Sequence, residues 1–141
     1  MALRQGRMRR GKLCPLYMLN SAKIVAFVPT LDFAKARKFY EQTLGLRCVS
    51  QDGFALVMDC HGIMLRVVKA PPFTPHPFTV LGWEVERIED EVKALQARGV
   101  KFERYPGMTQ DELGVWIAPG GSKVAWFKDP DGNLLSLSEH V

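Results

Sequence analysis

Apolar and polar positions run through the same order twice along this chain. Lys23–Pro29 (KIVAFVP) is an apolar run with polar flanks and reads as a buried strand. Asp32–Leu44 (DFAKARKFYEQTL) follows, with Phe33, Ala36, Phe39, Tyr40 and Leu44 at helical spacing. Asp32 suits an N-cap, because its carboxylate can accept from the unpaired amides of the first turn. Gly45 suits the C-terminal end, where a left-handed backbone closes the helix. Short strands are predicted near Arg47–Ser50, Phe54–Asp59 and Ile63–Val68, with turns at Gly53 and His61-Gly62. The second pass begins with a strand over Val80–Glu86 (VLGWEVE) and a helix over Ile88–Ala97, whose Ile88, Val92 and Leu95 share one face. Gly99 ends that helix as Gly45 ends the first. Strands near Val100–Arg104, Ser122–Lys128 and Leu134–Ser138 complete it, the last two joined at Asp129-Pro130-Asp131-Gly132. There proline presets φ and glycine accepts a positive one.

Each pass reads βαβββ, so the chain is an α+β domain of two tandem units, about residues 22–69 and 79–139. Ala70–Phe78 (APPFTPHPF) holds four prolines and reads as a stiff linker. Tyr105–Gly121 is punctuated by glycine and proline and is long enough to be a lid or binding loop.

The order strand, LDFAKARKFYEQTLGL, proline linker, WEVERIEDEVKALQARGVKF and VAWFKDPDGNLLSLSE resembles the vicinal oxygen chelate superfamily. That group includes glyoxalase I, bleomycin-resistance proteins and extradiol dioxygenases. The resemblance covers about residues 23–139, and the FY-x3-LG-L segment and the DPDGN hairpin are its most specific parts. It implies a curved mixed sheet around a concave cleft.

Period-2 parity sorts the strand faces. Ile63, Leu65 and Val67 are uniformly apolar, as are Leu81, Trp83 and Val85, and Leu135 and Leu137, which suits packing beneath the helices. The opposite faces are mixed: Met64, Arg66 and Val68; Val80, Gly82 and Glu84; Leu134, Ser136 and Ser138. The resemblance assigns these mixed faces to the cleft. It also places four metal-ligand positions on the first and last strands of each unit, which fall here at Val25, Arg66, Val80 and Ser136. A divalent ion needs imidazole, carboxylate or thiolate donors, so no metal cofactor is expected. The expected pocket has Val25, Phe27, Met64, Val80 and Gly82 as walls and Arg66, Glu84 and Ser136 as polar groups. Either Trp126 or Phe127 must face it, since neighbours on a strand point to opposite sides; Trp126 is counted with the site. Arg66 in an apolar cleft needs an anion, either on a ligand or on Glu84. Trp116, in the long loop, either covers the cleft or is an exposed or self-packing tryptophan.

Charge narrows the partners. The chain carries +4 in total, but Arg4, Arg7, Arg9, Arg10 and Lys12 put +5 into the first 17 residues. The remainder is −1, so the folded body offers no basic face for nucleic acid. Residues 1–20 are read as a basic, unstructured leader, with a short nucleic-acid or membrane-surface arm and a mitochondrial presequence as weaker readings. No apolar run approaches the length of a membrane span. Cys14, Cys48 and Cys60 are odd in number and widely spaced, which argues against a disulfide framework and fits a cytoplasmic protein. His61, His76 and His140 fall in a turn, the linker and the C-terminus, outside any catalytic grouping.

Three functions follow. The first is a metal-free binding protein for a small hydrophobic or anionic molecule. The second is a metal-independent lyase or isomerase with Glu84 as general base and Arg66 holding an oxyanion. The third is a structural module with a collapsed pocket. A homodimer is expected, because small open sheets present edges that invite pairing.

Overall fold

Residues 18–141 are described by the computed structural model. After a single 3-10 turn (Leu19–Ser21), the apolar run forms β1 (Val25–Thr30). Helix α1 (Phe33–Arg37) starts at the predicted cap, with Asp32 Oδ1 accepting from the Lys35 amide at 3.1 Å. It continues as a π-helical turn over Lys38–Thr43, which brings Phe39 and Tyr40 together at 5.2 Å with their rings edge to face. Gly45 then adopts φ 79° and lets the Leu46 amide reach back to Tyr40 O at 2.9 Å. Strands β2 (Arg47–Gln51), β3 (Ala55–Cys60) and β4 (Ile63–Lys69) return antiparallel, and β4 closes on β1 in parallel register.

The second unit repeats this with β5 (Thr79–Glu84), α2 (Ile88–Ala97), β6 (Trp116–Ile117), β7 (Lys123–Lys128) and β8 (Leu134–Glu139). The strand orders, β1-β4-β3-β2 and β5-β8-β7-β6, are the same. The two open sheets meet where β1 approaches β5, so the expected mixed sheet is built as two ladders side by side. The linker over residues 70–78 carries no helix or strand, and Pro75 rests against Gly132 in the DPDGN turn.

One predicted strand is absent. Val100–Arg104 makes only an isolated bridge, Phe102 to Phe127, and the edge strand forms instead at Trp116–Ile117, inside the stretch read as a lid. Both pieces pair with β7, so the edge is one strand interrupted by a long excursion. That excursion is tied down rather than loose. Gln110 Nε2 donates to Glu103 O and Gly114 O, Gln110 Oε1 accepts from the Tyr105 amide, and Arg104 donates to the carbonyls of Asp111 and Glu112. These bonds satisfy the loop's backbone from within, which a short sequence window cannot show.

A single core joins the units beneath the helices. Val28, Tyr40, Leu56, Leu65 and Val67 from the first meet Ile88, Val92, Phe127, Leu135 and Leu137 from the second. The two most recognisable sequence segments meet in it. Tyr40 Oη donates to Asp129 Oδ2 at 2.6 Å, and Asn133 donates to the same carboxylate from its side chain and its amide. Asn133 also reaches Pro29 O, while Asp131 accepts from Thr30 Oγ1 and the Leu31 amide. The DPDGN turn of the second unit is thus a latch onto the first strand and helix of the first. Burial lifts the Asp129 carboxyl above its ordinary range, against the opposing pull of Tyr40 and Asn133; burial and the neighbouring Asp129 raise Tyr40 likewise.

Candidate functional site

The predicted alternation holds on both sheets except at Leu134 and Ile63. Leu65 and Val67 are buried while Met64 is exposed and Arg66 and Val68 are half-buried. On β1, Val28 is 1% exposed and Phe27 60%, so Val25 and Phe27 lie on the face away from the helices. Val80, Gly82 and Glu84 are exposed beside half-buried Leu81 and Trp83, and Ser136 stands between buried Leu135 and Leu137. Leu134 departs from its row by being buried at the base of β8. Ile63 departs the other way, exposed at the start of β4.

Three cross-strand rows define this surface. In the first unit Phe27 pairs with Arg66 and Arg66 with Val57; the next row is Val25, Met64 and Asp59. Val25, Met64, Val57, Asp59 and Val49 line a groove of about 230 Å³, and Arg47 pairs with Asp59 at 3.7 Å on its rim. In the second unit Gly82 pairs with Ser136 and Ser136 with Trp126. Phe127 turns into the core, which settles the Trp126/Phe127 choice in favour of Trp126 on the open face. Trp116 packs on Trp126 at 6.1 Å and Tyr105 meets it edge-on at 5.5 Å.

Arg66 and Glu84 are not paired. Among the described residues the ion pairs are Arg37–Glu41, Arg47–Asp59, Arg87–Asp90, Lys123–Glu89 and Lys128–Glu103. Asp52 feels Arg66 only weakly; its carboxyl is held below the ordinary range first by the amides of Phe54 and Ala55.

Sequence reasoning left out Val49, Val57, Asp59 and Tyr105. Val57 and Asp59 were readable from parity on β3, two residues apart opposite buried Leu56 and Met58. Val49 sits at the irregularity between Cys48 and Ser50, where the pairing register shifts, and Tyr105 arrives only through the loop fold.

The four positions that resemble a metal site do not fit a metal. Val25 and Val80 offer no donor, Arg66 is a cation and Ser136 a neutral hydroxyl. No three of the described His, Cys, Asp and Glu residues are grouped closely enough to hold an ion. None of the described helices is long and apolar enough to cross a membrane.

No curated protein matches the sequence. Among solved structures the chain is similar to a lactoylglutathione lyase from Agrobacterium tumefaciens, at 19% identity and a TM-score of 0.66, over 84% of this chain and 93% of that one. It is similar to a glyoxalase/bleomycin resistance protein/dioxygenase from Alicyclobacillus acidocaldarius, at 18% identity and a TM-score of 0.64, over 84% and 90%. The genomically encoded fosfomycin resistance protein FosX from Listeria monocytogenes is 11% identical with a TM-score of 0.65, over 84% and 92%. At these identities the likeness is one of fold. The family model adds the sequence evidence: matching residues 23–137, it spans both units, and the chain belongs to the glyoxalase/bleomycin resistance protein/dioxygenase superfamily.

Proposed function

We propose that this protein binds a small, partly apolar anion on the open faces of its two sheets, without a metal ion. The observation that carries this reading is Arg66, half-buried between Phe27 and Val57, with no carboxylate of the described residues at ion-pair distance. A guanidinium so placed is poised to take a carboxylate or phosphate in two parallel hydrogen bonds. Around it Val25, Phe27 and Met64 are 40–60% exposed, which supports an open apolar surface over a collapsed pocket.

The lyase or isomerase reading is less well supported. Glu84 stands exposed, where water competes for any substrate proton, so binding is the better account. The exposed apolar faces also favour a pair of chains, which light scattering at micromolar concentration would detect or refute.

Octanoate and octyl phosphate are suitable probes, each an apolar chain with one anionic end. A charge-assisted contact contributes about 1.5–3 kcal/mol, so Arg66→Met should weaken these anions roughly 10- to 150-fold in calorimetric titration. Glu84→Gln should leave both stability and binding nearly unchanged. Equal affinity of wild type and Arg66→Met for every anion that binds would refute the reading.

A further inference from the structure

The row Trp126–Ser136–Gly82 sets one very large side chain beside two minimal ones on the same face of the second sheet. Neighbouring strands lie about 4.8 Å apart, so Ser136 and Gly82 leave a low strip about 10 Å wide, floored by backbone and the small Ser136 side chain. Gly82 makes room for the Ser136 side chain and keeps the strip low. A Cβ built there would lie 2.5 Å from Ser136 Oγ, so the serine hydroxyl already occupies the space a side chain would need. Glycine weakens a strand interior and is found where another group must approach the backbone closely. Glu84 and Ser138 pair at one end of the strip, and β8 begins at the other with buried Leu134.

Trp126 is its wall. On the outer side Trp116 lies tilted by 35° and Tyr105 stands at 85°, so the indole is held by two aromatic neighbours. Both are fixed in turn, Trp116 by pairing with Val124 and Tyr105 by donating its amide to Gln110 Oε1. On the inner side its strand neighbour in the row is Ser136, with Gly82 beyond, and Trp126 remains partly exposed.

We propose that this trough is a subsite for a flat aromatic ring, lying over the Gly82–Ser136 backbone against Trp126. A flat floor with one aromatic wall matches a plate-shaped group, whose quadrupole favours offset or edge contacts with the indole. A branched aliphatic group of similar size leaves gaps on such a surface and loses contact along them. Ser136 Oγ supplies a donor and an acceptor for a ring substituent. The proposal rests on reading the open faces as a ligand site. It narrows the ligand to one with an aromatic ring besides its acid group.

The probes are 2-naphthol and trans-2-decalol, which carry one hydroxyl and no acid group and so do not depend on Arg66 for an ion pair. In ligand-observed NMR titrations of the full chain, 2-naphthol should bind and the saturated alcohol should bind more weakly. Trp126→Leu should weaken 2-naphthol roughly 2- to 12-fold, the range of an aromatic pair, and change trans-2-decalol little. Ser136→Leu fills the trough while keeping the indole, and should abolish the preference for the aromatic probe. Melting curves establish that each variant is folded, and Trp126→Met stands in should Trp126→Leu unfold. Equal binding of the two alcohols, or 2-naphthol binding untouched by both substitutions, would overturn the subsite. If octanoate still loses affinity in Arg66→Met under that outcome, the subsite alone falls. If 2-naphthol behaves as expected but no anion depends on Arg66, the subsite stands and the anion-binding reading falls.

Discussion

The two units are equivalent on one side of their sheets and different on the other. Arg66 and Ser136 occupy the same place, each four residues past the turn glycine and in the middle of a three-strand row. In the first unit that row is Phe27, Arg66 and Val57; in the second it is Gly82, Ser136 and Trp126. The flanking residues that face the helices, Leu65 and Val67 against Leu135 and Leu137, barely differ, and all four are buried. Packing against a helix asks for the same thing twice, an apolar side chain of about the right volume. The open faces are free of that demand, and there one unit carries a charge among apolar neighbours while the other carries a strip of minimal side chains beside an aromatic wall. The fold is duplicated and the surface chemistry is not.

The widest test of this contrast is in the core. Leu65→Ala and Leu135→Ala should each cost about 2–5 kcal/mol in denaturant unfolding, because both side chains are fully buried. Arg66→Met and Ser136→Ala should each stay within about 0.5 kcal/mol. A loss of several kcal/mol for Arg66→Met would make that residue structural and erase the contrast.

The latch between the units comes next. Tyr40→Phe removes one donor from the buried Asp129 carboxylate and should cost about 1–3 kcal/mol. Its pH dependence has a definite sign. Asp129 titrates above its ordinary range when folded, so its contribution is full below the unfolded pKa and shrinks as pH rises through the folded one. Losing the Tyr40 donor raises the folded value further, so Tyr40→Phe should be more destabilising at pH 7 than near pH 3. Equal losses at the two pH values would show that Tyr40 does not hold the charged form.

The smallest expected effect separates the two helix starts. Helix α1 is capped locally by Asp32, whereas Arg87 makes no side-chain cap for α2, and the Ile88 amide donates instead to Glu139 Oε1 at 2.9 Å. Asp32→Ala should therefore cost about 1 kcal/mol. Glu139→Gln keeps an acceptor oxygen and should cost less.

The repeat, the Asp32 cap, the left-handed turns at Gly45 and Gly99, helix α2 at Ile88–Ala97 and most of the inward and outward faces were legible in the chain itself. These features depend on residues a few positions apart, through the 3.6 and 2.0 periodicities and the φ preferences of glycine. Residues 1–20 are read from the sequence as a basic leader, and the first 17 of them lie outside those described. Other features required distant parts of the chain to meet. Phe127 turns inward because it packs among Phe39, Trp83 and Phe102, and Trp126 faces outward as a result. The edge strand lies at Trp116–Ile117 because the loop before it folds around Gln110 and Arg104. Thr30 and Asp131 bond across 101 positions of sequence, and Arg66 and Glu84 fall on separate ladders and remain apart. Local pattern can tell that a side chain leaves its strand toward one face. What it meets there is decided by how the two units close on each other, because those contacts join residues that no sequence window holds together.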